Sequence, residues 1–288
     1  MKIYYATLFF CENLILAINA YENKTIDEYH ITEFDKTFQN KKKEFEFKNI
    51  YSISNIIDHQ VNLGIRNRGM GIAGKLLCAP YRFSNYKILS QPQWHNDGMQ
   101  RNIAQSILDP EDEDIVILSD VDEMILSEYF DEIIQLAKKK GILTIKLYFT
   151  MFYFNLYSTN WSGAPDYSYR LFVMTGKKYK EIKKSFYGFD VLRKRGEQGK
   201  LVNEIYCFPE IAGYHHSWLG DEDFINRKLH AYAHIQEHDG RSSKEFIHEC
   251  VKEGKSLFPN HKLEIRHDLR DMRFVEEHKD ELKQYFID

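Results

Sequence analysis

Residues 115–124 read I-V-I-L-S-D-V-D-E-M, four apolar side chains running straight into three carboxylates within four positions. A short unbroken apolar run of this kind suits a strand covered on both faces, as in a parallel sheet. Ligands of open α/β sheets sit beyond the carboxyl ends of the strands, which is where Asp120, Asp122 and Glu123 fall. If the chain stays extended, alternation sends Asp120 and Asp122 to one side and Val121 to the other. Two carboxylates then converge on one divalent cation, Mn2+ or Mg2+, which relieves their mutual repulsion. The competing reading is an acidic strand-to-helix turn, with Ser127 capping the helix that follows. The preceding strand and the acidic approach at 111–114 favour the first.

The rest of the chain fits an α/β domain. Strands are expected over 3–10 and 29–33 with a helix over 12–21 between them, a βαβ unit. Helical spacing covers 93–108, a strand covers 114–118, and an amphipathic helix spans 127–140 until Gly141 stops it. One or two strands follow over 142–154, another over 169–174, a helix over 177–187 and a last well-marked helix over 220–234. The alternation predicts a mainly parallel sheet with helices on both faces. With 288 residues, 43% of them hydrophobic, and no Pro/Gly linker or repeat, a single domain over 1–288 is expected, its polar segment 241–288 forming a C-terminal extension.

Charge and cysteine usage narrow the class. A formal charge of -4 gives no basic field for nucleic acid. The Lys clusters at 41–43 and 138–140 are read as solvated faces. Four separated cysteines, Cys11, Cys78, Cys207 and Cys250, form no C-x-x-C pair and suit a reducing compartment. Glu12 and Asn13 break the apolar N-terminus before a signal peptide is complete, and no run approaches the ~20 residues of a membrane span. A cytoplasmic location with no transmembrane segment is the expectation. Aromatic residues, at 15%, exceed what a core needs and suit stacking on sugars or bases.

A second constellation occupies 213–238, G-Y-H-H-S-W-L-G-D-E-D-F-I-N-R-K-L-H-A-Y-A-H-I-Q-E-H. Asp221 is placed as an N-cap, and Glu222 and Asp223 suit a helix N-terminus. A carboxylate there beside an aromatic wall can also act as a general base, so Asp221, Glu222 and Asp223 remain open between capping and catalysis. His230 and His234 fall four apart on one helix face, and His215 and His216 precede them, so at least one is a candidate ligand or base.

Several stretches together resemble glycosyltransferase family 17. T-F-Q-N-K-K-K at 37–43, after Glu33, is similar to the family's E-x-x-x-T-F-x-G-x-x-K, with Asn40 in place of Gly. Gln100-Arg101 and then D-I-V-I-L-S-D-V-D-E resemble its arginine helix and its strand ending in D-x-D-E. Y-G-F-D-V-L-R at 187–193, A-G-Y-H-H-S-W at 212–218 and K-L-H-A-Y-A-H at 228–234 also match, with Tyr214 where Trp is usual. No membrane anchor or stem like that of the animal members is expected, so Golgi residence is not expected to carry over. Met124 and Ile125 stand where Pro usually follows D-x-D-E.

The resemblance implies a GT-A fold, a Rossmann-like mixed sheet flanked by helices, and an inverting, metal-dependent transfer of sugar from a UDP-sugar to a glycan acceptor. N-acetylglucosamine is the sugar it favours, ahead of xylose, glucose or galactose. Asp122 would hold the cation, Asp120 the ribose or a metal-bound water, and Arg101 the phosphates. His234, then His215, are the candidate protein ligands to the metal. Glu222 or Asp223 would take the acceptor proton, with Asp190 or Asp166 next in line. Trp161 and Trp218 are candidates to stack on sugars, with a core role the alternative for one of them, and Ser162, Gly163 and Ala164 would shape an acetamido pocket. The rival classes are a nucleotidyltransferase, for which residues 6–13 lack a Gly-rich phosphate loop, and a non-catalytic glycan-binding module with calcium-ligating acids.

Overall fold

The computed structural model describes residues 1–63, 92–160, 167–185, 188–198, 200–201, 204–232, 243–258, 261–267 and 272–288. The N-terminal half is the expected βαβ arrangement. Strand β1 (Ile3–Phe9) leads into α1 (Asn13–Glu22) and then β2 (Glu28–Phe34), and β3 (Ile56–Val61) lies beyond it. Helix α2 (Pro92–Gln105) precedes β4 (Ile115–Leu118), the strand of the apolar run. β3, β2, β1 and β4 are adjacent and all parallel.

After β4 the sheet becomes mixed. The short β5 (Glu123–Ile125) is followed by α3 (Ser127–Lys140), which ends at Gly141 with φ +82°, as expected for a helix-stopping glycine. Next come β6 (Ile142–Met151), β7 (Leu156–Ser158) and β8 (Tyr167–Thr175). β8 runs antiparallel to β4 and β6, and β9 (Tyr206–Ser217) pairs parallel with β6 and antiparallel with β5. β10 (Leu263–Ile265) closes the far edge beside β7. The α/β class and mixed sheet are therefore as expected, but parallel pairing dominates only the N-terminal half.

β4 is apolar throughout because both of its faces are covered. Ile115 and Ile117 join Tyr5, Ile133 and Ile134 beneath α1 and α3, while Val116 and Leu118 join Ala6, Phe172, Tyr179 and Phe189 on the other face. That second face is covered by α4 (Gly176–Lys184) and α5 (Gly188–Glu197), the latter a helix that 3.6-residue patterning had not singled out. The chain finishes through α6 (Glu222–Ala231), α7 (Lys244–Glu253) and α8 (Arg273–Glu277). The C-terminal segment packs onto the rest of the fold, Ile247 and Cys250 joining Phe149, Trp218 and Leu229 in one buried cluster. No helix among the described residues is long and apolar enough to cross a membrane.

Candidate active site

The strand-end acids form a turn. After Leu118 the backbone leaves the extended state, and the N–H of Glu123 donates to the carbonyl of Asp120 at 3.0 Å. Buried polar groups fix this turn from below. The Tyr5 hydroxyl lies 3.0 Å from the carbonyl oxygens of both Asp120 and Glu123, and Asn19 donates to Glu123 O at 2.9 Å. β9 fixes it from the side, with His216 N–H donating to Asp122 O at 2.8 Å. Strict alternation therefore does not apply across Asp120 and Asp122, and the two carboxylates find different partners.

Asp120 is gripped by two guanidiniums. Arg101 from α2 bonds Oδ1, and Arg193 from α5 bonds Oδ2 at 2.7 Å. Arg101 is itself held by Asp97 at 3.2 Å and stands 3.9 Å from the buried carboxylate of Asp190. Asp122 faces Lys228 Nζ of α6 at 3.0 Å through Oδ2 and His215 Nε2 at 3.5 Å through Oδ1. The same Nζ is 2.8 Å from Glu12, at the start of α1. Glu123 turns inward, accepts from the Asp120 N–H at 2.9 Å and approaches His215 Nδ1 at 3.8 Å.

Electrostatics follow from this burial. Desolvation opposes the charge on Asp122, but Lys228 and His215 outweigh it and hold the carboxyl well below the usual range. Desolvation likewise opposes the charge on Lys228, and Asp122 with Glu12 raises its pKa above the ordinary lysine value. Glu123 lacks a comparable partner, and burial pushes it up to about 7. Burial also pushes His215 down to about 4 and His216 to about 3, so both rings are neutral near pH 7.

These groups border a pocket beyond the carboxyl ends of β1, β2 and β4, enclosing about 1170 Å³ with its open mouth. Its lining contains seven Lys or Arg side chains against four Asp or Glu, an excess of positive charge in a chain whose formal charge is -4. Phe9, Phe10, Phe38, Trp94, Trp218 and Phe258 are among its walls. The 36–47 loop supplies one side. Buried Glu33 organises that loop by accepting from Lys43 Nζ and from the N–H groups of Glu46 at 2.7 Å and Phe47 at 3.1 Å. Asn40 takes φ +59°, a left-handed conformation that Asn tolerates. Lys43 thus lines the pocket with its side chain buried against Glu33, in contrast to the solvated face expected for 41–43.

The structure does not bring the 221–223 triplet to this pocket. Asp221 caps α6, its carboxylate accepting from Phe224 N–H at 2.7 Å. Glu222 pairs with His248 at 2.7 Å and Asp223 with Lys244 at 3.0 Å, in a second depression that shares no lining residue with the first. The side chains of Glu222 and Asp223 are 47% and 80% exposed, against 8% for Asp122. The triplet expected to supply the general base therefore opens onto a different surface from the pocket that Asp120 and Asp122 border. Ser127 is the first residue of α3 rather than its cap, which is Leu126. Trp218 is buried against Tyr232 and also lines the pocket. Asp190 lies buried beneath the pocket, bonded by Lys194 at 2.7 Å. Trp161, Ser162, Gly163, Ala164, Asp166, His234 and Cys78 lie outside the described residues.

A divalent cation does not fit this donor set. Each of the four carboxylate oxygens of Asp120 and Asp122 already faces a nitrogen of Arg101, Arg193, Lys228 or His215. An ion bridging the two acids would have to displace the guanidiniums from Asp120, and only Asp122 Oδ1, which faces the neutral His215 ring, is without a cation. Among the described residues, no group of three or more His, Cys, Asp or Glu side chains is arranged to hold a metal.

No protein-family model and no curated protein matches the sequence. Among solved structures, a TarS fragment from S. aureus is 15% identical, with 88% of this chain and 72% of that chain covered and a TM-score of 0.35. The galactosyltransferase LgtC in complex with donor and acceptor sugar analogues is 11% identical, covering 88% and 96%, with a TM-score of 0.36. A 4-diphosphocytidyl-2C-methyl-D-erythritol synthase from Anaerococcus prevotii is 11% identical, covering 82% and 96%, also at 0.36. At such scores none of them bears on what the pocket does.

Proposed function

We propose that the chain is a GT-A-type glycosyltransferase that moves a sugar from a UDP-sugar to a hydroxyl of a glycan acceptor, with inversion at the anomeric carbon. N-acetylglucosamine is the first candidate among the sugars. The observation that carries the reading is the sign and place of the pocket: a cation-rich, aromatic-walled cavity at the carboxyl ends of parallel strands, in an acidic chain.

The chemistry follows from where charge develops. As the anomeric C–O bond breaks, its electron pair stays on the departing diphosphate, so cations fixed beforehand stabilise the transition state more than the ground state. Arg193 and Lys228 line the pocket, each locked by a carboxylate and therefore needing little reorganisation. The aromatic walls offer flat faces for the uracil and sugar rings.

A product assay tests this. Each of UDP-N-acetylglucosamine, UDP-galactose, UDP-glucose and UDP-xylose, labelled in the sugar, is incubated with the protein, and released UDP and pyrophosphate are separated. Slow hydrolysis of one donor to UDP and free sugar is expected. Pyrophosphate as product would identify a nucleotidyltransferase, and a clear preference for a GDP- or CMP-sugar would overturn the uridine assignment.

A further inference from the structure

We infer that the ammonium of Lys228 takes the position beside the strand-end acids that a divalent cation was expected to fill, and that this chain binds the diphosphate of its donor without metal. The inference rests on the nucleotide-sugar reading above and deepens it.

Three observations converge on Lys228. First, its Nζ is suspended between Glu12 at 2.8 Å and Asp122 at 3.0 Å, two carboxylates from separate elements that meet at the end of the central strands. That is the bridging role of a cation. Two carboxylates buried this closely would repel strongly, and the ammonium relieves that repulsion in place. Second, the ammonium lies 5.7 Å from the ring centres of both Trp218 and Phe224, so aromatic faces as well as carboxylates position the charge. Third, the side chain lines the pocket, and an ammonium has three donors, of which Glu12 and Asp122 account for two.

On the neighbouring acid the same substitution recurs. Asp120 carries Arg101 and Arg193 where a metal or metal-bound water was expected. Guanidinium and ammonium groups together present donors suited to bidentate and point contacts with phosphate oxygens. A metal added to this arrangement would compete with Lys228 for Asp122 and would leave the displaced ammonium buried with Glu12 alone.

Equilibrium binding of UDP tests the inference. The protein is stripped with EDTA, and UDP is titrated calorimetrically in excess EDTA and again in millimolar Mn2+. The expected result is the same dissociation constant within about threefold, and a loss of roughly 10- to 100-fold in Lys228→Met, the usual scale of a hydrogen bond to a charged group. Lys228→Arg is expected to recover part of that loss. If Lys228→Met fails to fold by circular dichroism, the comparison of wild type with and without Mn2+ still decides. UDP binding that appears only with Mn2+, or that Lys228→Met leaves unchanged, overturns the inference while leaving the nucleotide-sugar reading intact. Absence of UDP binding under both conditions overturns that reading, and the inference with it.

Discussion

Two acidic clusters of nearly the same composition, D-V-D-E at 120–123 and D-E-D at 221–223, meet opposite fates in the fold. The first ends a strand buried on both faces, so each of its aspartates must be neutralised by a cation brought from elsewhere: Arg101, Arg193 and Lys228. The second opens a helix at the surface, where water solvates it and one residue caps the backbone while the others make exposed pairs with His248 and Lys244. A carboxylate cluster therefore indicates chemistry only when its surroundings withhold water, and that depends on elements distant in sequence.

The largest expected effect comes from unbalancing the buried cluster. Asp122→Ala leaves Lys228 desolvated with Glu12 alone and is expected to cost ~3–5 kcal/mol by chemical denaturation, the scale for a buried charge that loses a partner. Unchanged stability would mean that water reaches this turn. Next, Arg193→Gln is expected to weaken UDP binding roughly 10- to 100-fold with a smaller loss of stability, since Asp120 keeps Arg101.

The buried side of the comparison also has a pH dependence. His216 is pushed by burial from 6.5 down to about 3, so below pH 6.5 the unfolded chain binds a proton that the folded one does not. Its contribution is present above pH 6.5 and is lost as pH falls toward 3, at up to ~1.4 kcal/mol per pH unit. Glu123 acts in the opposite sense: raised by burial from 4.5 to about 7, it contributes most below pH 4.5 and loses that contribution as pH rises through 7. Denaturation midpoints of His216→Asn and Glu123→Gln across pH 4–8 should separate the two slopes, each variant losing one of them.

The exposed cluster sets the lower end. Asp221→Ala removes the cap bond to Phe224 N–H and is expected to cost ~1 kcal/mol, read from the thermal midpoint. Glu222→Gln and Asp223→Asn are expected to leave both the midpoint and UDP binding where they were. A large loss of sugar transfer in either, with UDP binding intact, would restore that triplet as the catalytic base.

Much of the fold was legible. The apolar run at 115–118, the 127–140 helix with its glycine stop and the first βαβ unit appear where periodicity placed them, because each satisfies a local rule. The antiparallel insertion of β8 beside β4 was not, since strand direction is a property of the whole sheet. At the site, Asp120, Asp122, Arg101 and His215 were marked by sequence and do border the pocket. The further cations on the two aspartates, Arg193 and Lys228, are not marked as chemistry, although each lies within a stretch quoted for the family resemblance. A lysine on an amphipathic helix looks solvated until the acids it meets, here Glu12 and Asp122, are seen to arrive from 216 and 106 residues away.

The central claim, that this pocket is built for a diphosphate, is tested most directly by comparing uridine with UDP in the same calorimetric titration. If the excess of lysine and arginine around Asp120 and Asp122 is a phosphate site, UDP binds at least ~100-fold more tightly than uridine, and its affinity falls as salt is raised. Equal affinity for uridine and UDP, insensitive to salt, would contradict the account.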